Sequence, residues 1–281
     1  MYKWCVFFTC CLLWHGICPG AEKDFRILFT SNCNGEIEYC QCPEKQYGAL
    51  DRRAQFITQY VTKHPDAIIL DNGDNFLYYT TPEQAELINK IFQLIPYDVT
   101  NVGDQDLAFG GEAFIASLKM TRQPRVLTRG DTKISVLRIL HPATTRFYPD
   151  GRFPNVELPE PDSVIGQWCA KERKSGKLLI LLSHSGYEQD TVYASAFPEI
   201  DLIVGGHSQT VIDTLNFIRG VAVQQAGGNG EYVGEIRFSS NSSHYIPSFY
   251  RLHPMEQSIP AHPRVQSWLN DYHERNPKQT R

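Results

Sequence analysis

Polar residues able to do chemistry recur at the ends of short apolar runs, and glycine stands beside most of them. Asn32 and Asn34 follow "RILFTS", Asp71 and Asp74 follow "AIIL", and Asp104 follows "YDVTNV". His184 follows "KLLILLS", while His207 and Gln209 follow "DLIV". Taken singly, an aspartate before a turn shapes the turn, and a histidine at a strand end satisfies a structural bond. Taken together, they place oxygen and nitrogen donors beyond five strand ends, where open α/β sheets hold their ligands. Glycine in "NGD", "VGD", "HSG" and "GGH" lets the backbone turn sharply and approach a ligand closely. Carboxylate, imidazole and amide donors in this mixture suit a divalent Mn, Zn, Fe or Mg ion and not a soft thiolate site.

Elements of alternating type must position those residues. Strands are predicted at 26–31, 67–70, 97–102, 177–183 and 201–204, from short apolar runs bounded by turn residues. Helices are predicted at 48–63, where Leu50, Ala54, Ile57 and Val61 recur at spacings of three and four, and at 82–95, opened by Pro82. Further helices are expected at 111–119, 163–174, 189–196 and 263–275. "RVLTRGDTKISVLRIL" (125–140) has two β-rich runs around a "RGDT" turn and reads as a hairpin. Residues 141–163 hold five prolines and read as a long surface loop, and the chain from 210 to 252 is strand-rich. No internal repeat or low-complexity linker divides the sequence, so residues 21–281 form one α/β domain.

The chain has 281 residues and a net charge of −4, with no run of Lys and Arg interleaved with aromatics. Nucleic acid is therefore excluded as the main partner. The first twenty residues carry one charged side chain, Lys3, ahead of the apolar run "WCVFFTCCLLW" and the small residues of "CPGA". This is the layout of a secretory leader over 1–20, with a retained N-terminal anchor as the alternative. It implies an exported protein, periplasmic or extracellular, with no permanent membrane span after cleavage. Cys33, Cys40, Cys42 and Cys169 remain in an oxidising compartment, where disulfides are favoured over thiolate metal ligation or a redox role.

The ordered set "ILFTSNCNG", "GALDRR", "LDNGD", "YDVTNVGDQDLAFG", "LLSHSG", "DLIVGGHSQ" and "QAGGNGEYVGEI" resembles the metallophosphoesterase (calcineurin-like) domain of the 5′-nucleotidase family. The likeness runs from about Arg26 to the last helix. It implies a four-layer αββα sandwich and two metals that clamp a phosphate ester and activate a water between them. By position, the resemblance makes Asp74 the bridging aspartate and His184 and His207 ligands of the second metal. Asp104 stands where the family has asparagine, and Gln209 matches a ligand of the first metal.

The departures from that pattern gather in one half of the site. The family's opening D-x-H reads Asn32-Cys33-Asn34, which removes a carboxylate and an imidazole from the first metal. Its G-N-H-E-x-D reads Gly103 to Ala108, so Gln105 and Asp106 occupy the catalytic stretch, with glutamine in the place of the histidine and Ala108 in that of its partner aspartate. Neutral amides hold hard cations weakly, so one divalent ion is expected, on Asp74, Asp104, His184 and His207. Two functions follow as alternatives: an exported metal-dependent phosphoester hydrolase of weak or altered activity, acting on a phosphate ester or other small anionic ligand, or an inactive binding or assembly component with a protein partner. A redox-linked role through the cysteine cluster ranks below both. The family's nucleoside-binding domain has no counterpart after the 263–275 helix, so base recognition is expected from the 141–163 loop or a partner chain.

Overall fold

The structure, a computed structural model, describes residues 25–38, 47–110, 123–149, 158–241 and 244–277. Two mixed sheets stack face to face. The first has the order β11-β10-β1-β2-β3, from β1 (Phe25–Thr30), β2 (Ile68–Asp71), β3 (Val99–Thr100), β10 (Tyr232–Asn241) and β11 (His244–Pro254). The second has the order β4-β5-β6-β7-β9-β8, from β4 (Arg125–Arg129), β5 (Thr132–Leu140), β6 (Leu178–His184), β7 (Leu202–Gly205), β8 (Phe217–Ile218) and β9 (Val221–Gln224).

Strand alternation decides which side chains fill which layer. Ile27, Phe29, Ile68 and Leu70 of the first sheet meet Ile134, Val136, Ile180, Leu182 and Val204 of the second in the central core. The intervening residues face outward yet are also apolar. Leu28 and Ile69 are covered by α1 (Leu50–Lys63), α2 (Pro82–Leu94) and α6 (Pro263–Arg275), whose buried Ile57, Ile88 and Leu269 pack on them. Leu179, Leu181 and Ile203 are covered by α4 (Pro161–Glu172) and α5 (Tyr187–Ala196). Strands buried on both faces explain the unbroken apolar run "LLILL", and the result is the four-layer αββα arrangement. α2 begins at a capping box in which Thr81 and Gln84 satisfy each other's backbone N–H groups, with Pro82 in the first turn.

Three sequence expectations change. The strand at 97–102 shortens to Val99–Thr100, and helix α3 (Asp104–Gly110) begins directly after it; the helix expected at 111–119 lies outside the described residues. Its start has a physical signal, because the Asp106 carboxylate accepts the N–H of Gly103, three residues earlier, at 2.9 Å, which is half of a capping box. The 141–163 segment is not a plain loop: a 3-10 turn spans Pro142–Phe147, and α4 begins at Pro161. The hairpin forms as expected, with Arg129 paired to Thr132 across Gly130 and Asp131.

The cysteine expectation is corrected as well. Cys33 is a free thiol buried in the layer under α1 and α2, and Cys169 is a free thiol buried under α4 on the opposite side of both sheets. Burial pushes the Cys33 thiol up to about 11 and the Cys169 thiol up to about 12, so both are neutral and unsuited to metal ligation or redox exchange near neutral pH. Cys40 and Cys42 lie outside the described residues, as does the 1–20 leader. No helix among the described residues is long and apolar enough to cross a membrane.

Candidate metal centre

The parallel strands β1, β2, β3, β6 and β7 end at the same edge of the double sheet, and the loops beyond them meet there. Two buried asparagines bind the sheets together at this edge. Asn72 donates through Nδ2 to the carbonyls of Ser183 and Val204, each at 2.9 Å, and Asn101 donates to Asn72 Oδ1 and the Ile139 carbonyl, also at 2.9 Å. Three of these four bonds end on backbone carbonyls of the second sheet, and the fourth ties the two asparagines to each other. Neither residue figured among the sequence candidates, since an asparagine at the end of an apolar run reads as a turn former.

Asp74, Asp104, His184 and His207 each offer one ligand atom to a common point, and these atoms all lie within 4.8 Å of one another. His184 Nε2 is 3.1 Å from Asp104 Oδ1 and 3.2 Å from Asp74 Oδ2, and His207 Nδ1 is 2.8 Å from the same Asp104 oxygen. His184 Nδ1 faces the Asn72 carbonyl at 2.7 Å. A carbonyl only accepts, so Nδ1 carries the hydrogen and Nε2 is directed at the carboxylates, as a metal-binding imidazole requires.

The electrostatics favour a cation at this point. Burial disfavours a charged His184, yet the Asp74 charge and the hydrogen bonds to Asp104 and Asp74 outweigh it and raise the imidazole well above its usual range. Burial likewise opposes ionisation of Asp104, but His184 and His207 hold its carboxyl well below the usual range. A divalent ion at this point would supply the positive charge that the two buried acids face. The donor set, two oxygens and two nitrogens in reach of one another, fits such an ion.

The backbone here is strained where the ligands are. Among the described residues, six of the eight non-glycine positions with left-handed φ are Asn32, Asn34, Asp74, His207, Gln209 and Asn229, at +49° to +67°. Such positions cost of order 1–3 kcal/mol each and gather at functional clefts. Gly103 permits the approach of the two loops, because a Cβ there would sit 2.0 Å from Asp74 Oδ1.

The remaining candidates take other places. Asn34 Nδ2 donates to Asn229 Oδ1 at 3.0 Å, and Gln105 Nε2 donates to Asn34 Oδ1 at 3.1 Å, forming a chain of neutral amides beside Asp74. Asn32 accepts the His207 N–H at 2.9 Å and donates to the Gly227 carbonyl. Gln209 is exposed on the rim, with its side-chain oxygen against Gly228. Asp106 points away from the cluster: its two oxygens accept the backbone N–H groups of Asp74, Asn75, Phe76 and Gly103. Burial and the Asp74 charge push its carboxyl up to about 7 against the pull of those amides. It positions the Asp74 loop. Asp71 is also buried away from the cluster, bonded to Thr30, Asn75 and the Gly73 N–H and facing Arg53 at 3.9 Å. Tyr148, which no sequence pattern marked, donates to Asp104 Oδ2 at 2.8 Å.

The double-sheet frame has the fold of solved calcineurin-like phosphoesterases and 5′-nucleotidases. Solved structures agree in fold: the sulfate thiohydrolase SoxB of Thermus thermophilus superposes with a TM-score of 0.77 at 13% identity, over 89% of this chain and 60% of that one. A calcineurin-like phosphoesterase, YfkN, of Bacillus subtilis superposes at 0.71 and 14% identity, over 90% of this chain and 98% of that one. By sequence the chain is similar to curated 5′-nucleotidases. It is 23% identical to the 5′-nucleotidase of Bos taurus over 93% of its own length and 54% of that protein's, so it spans about half of the curated relatives it matches. No family model matches the sequence.

Proposed function

We propose that the chain is an exported, cation-dependent phosphoester hydrolase with one strong cation site and weak turnover. The observation that carries this reading is the convergence of Asp74, Asp104, His184 and His207 on one point. A bound divalent ion would supply Lewis acidity toward a phosphoryl oxygen and lower the pKa of a coordinated water. Asp74 is held for this role by the N–H of Gln105, which donates to its Oδ1 at 2.9 Å. His184 is held by Asn72. Gln105 Nε2 faces the same side of the cleft and can donate a hydrogen bond to an anionic ligand, but an amide neither carries charge nor transfers a proton near neutral pH. The apolar opening stretch of the sequence supports export.

The amide chain Gln105, Asn34 and Asn229 favours a second reading. It fills with neutral groups the side of the cleft where the family resemblance expects a second cation and a proton-transfer group. On that reading the protein binds a small anion or a protein partner and turns nothing over. The purified protein, supplied with Mn, Zn or Mg and assayed against nucleotides and an aryl phosphate, decides between them. Metal-dependent phosphate release supports the hydrolase; no release from any substrate with any ion ends that reading.

A further inference from the structure

The segment from His141 to Tyr148 forms a strap rooted at the metal centre at both ends. At its start, His141 N–H donates to the carbonyl of His184 at 3.3 Å, and His141 Nδ1 accepts the Ala143 N–H, capping the 3-10 turn. Inside the turn the Thr144 and Thr145 hydroxyls return to the His141 and Pro142 carbonyls at 2.8 Å each, and Thr144 is buried. At its end the Tyr148 phenol reaches Asp104 Oδ2 at 2.8 Å, while the exposed Phe147 ring lies 5.9 Å from that of His207. A strap closed by its own hydroxyls is stiff, so the phenol arrives at a fixed place.

The two oxygens of Asp104 are thereby divided. Oδ1 faces His184 and His207, and Oδ2 is held by the phenol. A carboxylate with one oxygen engaged by a strong donor presents the other alone, so it binds a cation through a single oxygen at a fixed angle. We propose that Tyr148 is a positioning residue that fixes how Asp104 meets the cation. This inference rests on the cation reading of the site and adds to it a residue from the segment after β5, a strand end outside the five that supply the sequence candidates.

The test is a cycle of cation affinities measured by titration calorimetry with Mn²⁺ and Zn²⁺ on the whole chain. Tyr148→Phe removes one oxygen and keeps the ring that packs in the strap. Hydrogen-bond partners of metal ligands are commonly worth about 10–100-fold in metal affinity, and that loss is expected here. In an Asp104→Asn background the phenol faces a neutral amide in place of a charged oxygen, so the same Tyr148→Phe change is expected to cost less than half as much on a logarithmic scale. An equal loss in both backgrounds means that Tyr148 acts on the fold and not through the carboxylate, and overturns the inference. Unchanged affinity in the single variant overturns it too, while leaving the cation site standing. No binding to the unsubstituted protein overturns the cation reading and this inference with it.

Discussion

The cleft has a charged half and a neutral half, built on the same sheet edge by the same device of strained, glycine-flanked loops. In the charged half, Asp74, Asp104, His184 and His207 lie so close that their mutual repulsions and attractions must be balanced by a proton or a metal. In the neutral half, Asn34, Gln105 and Asn229 are joined to one another, Asn32 bonds to the His207 N–H and the Gly227 carbonyl, and the four side chains bring no charge to balance. The difference teaches that one kind of loop can set charged side chains on one side of a cleft and neutral ones on the other. Left-handed backbone at Asn32, Asn34 and Asn229 persists in the neutral half as it does at Asp74 and His207 in the charged one. The loop conformation is therefore shared by the two halves, and their side chains differ in charge.

The largest effect would break the comparison outright. Giving the neutral half the groups of the family pattern, with Asn32→Asp, Asn34→His, Gln105→His and Ala108→Asp together, is expected to raise phosphoester turnover by about 10²–10⁴-fold, the usual worth of a placed acid–base group. Steady-state rates on an aryl phosphate with Mn²⁺ measure it, and calorimetry should find a second ion. An unchanged rate with two ions bound would mean that the neutral half is not where activity is limited. The next effect removes the charged half instead. Asp74→Asn exchanges a buried carboxylate for the kind of group found across the cleft, and cation affinity is expected to fall by about 10²-fold or more, since amides are poor ligands for hard divalent ions. Retained tight binding would show that the ion is held by some other set.

Much of this contrast could be read from the sequence because it lies in residue types at strand ends. The apolar runs before Asn32, Asp74, Asp104, His184 and His207 announce strands, and the change of residue type after them announces a site. What could not be read is how the two sheets are fastened together at that edge. Asn72 and Asn101 bond to carbonyls on strands more than thirty residues away, and an asparagine's partners leave no mark on its own surroundings. Tyr148 was hidden for a similar reason: its strap lies among prolines without periodicity, and only the fold brings it to Asp104. Asp106 misled in the opposite way. Its place in the motif suggested chemistry, whereas four backbone amides consume its carboxylate. The disulfides expected from the compartment do not form at Cys33 or Cys169, which are free thiols in layers that the sheets separate.

The fastening of the two sheets gives a prediction of intermediate size. Asn72→Ala deletes two donors and one acceptor at a wholly buried position and leaves the carbonyls of Ser183 and Val204 without those bonds. About 2–4 kcal/mol of stability should be lost, at about 1 kcal/mol per bond with a further cost for orphaned buried groups. Denaturant unfolding of the metal-free protein measures it. Because His184 stays tethered through the Asn72 backbone carbonyl, which alanine keeps, the charged half should still take up its ion once folded. A loss of cation binding without a loss of stability would assign the side chain to the site and not to the frame.

The smallest effect concerns an acid that needs no cation, and it sharpens what is particular about the charged half. Glu235 on β10 is surrounded by its own donors: the Tyr60 hydroxyl and Arg237 Nε at 2.7 Å and His253 Nε2 at 2.8 Å. Burial pushes its carboxyl up, but His253, Tyr60 and Arg237 outweigh that and hold it down at about 2. A carboxyl held below its unfolded value of 4.5 stays ionised in the folded protein while the unfolded chain takes up a proton. Its stabilisation is therefore present above about pH 4.5 and lost as the pH falls from there toward about 2. Glu235→Gln should lower the melting temperature at pH 7 by about 2–4 °C, a shift equivalent to about 1 kcal/mol, and should flatten the acid limb of stability over that window. Divalent ions should leave this difference unchanged, because three donors already do for Glu235 what a cation does for Asp74 and Asp104. If added Mn²⁺ altered the effect of Glu235→Gln, the separation between acids satisfied by the protein and acids awaiting an ion would not hold.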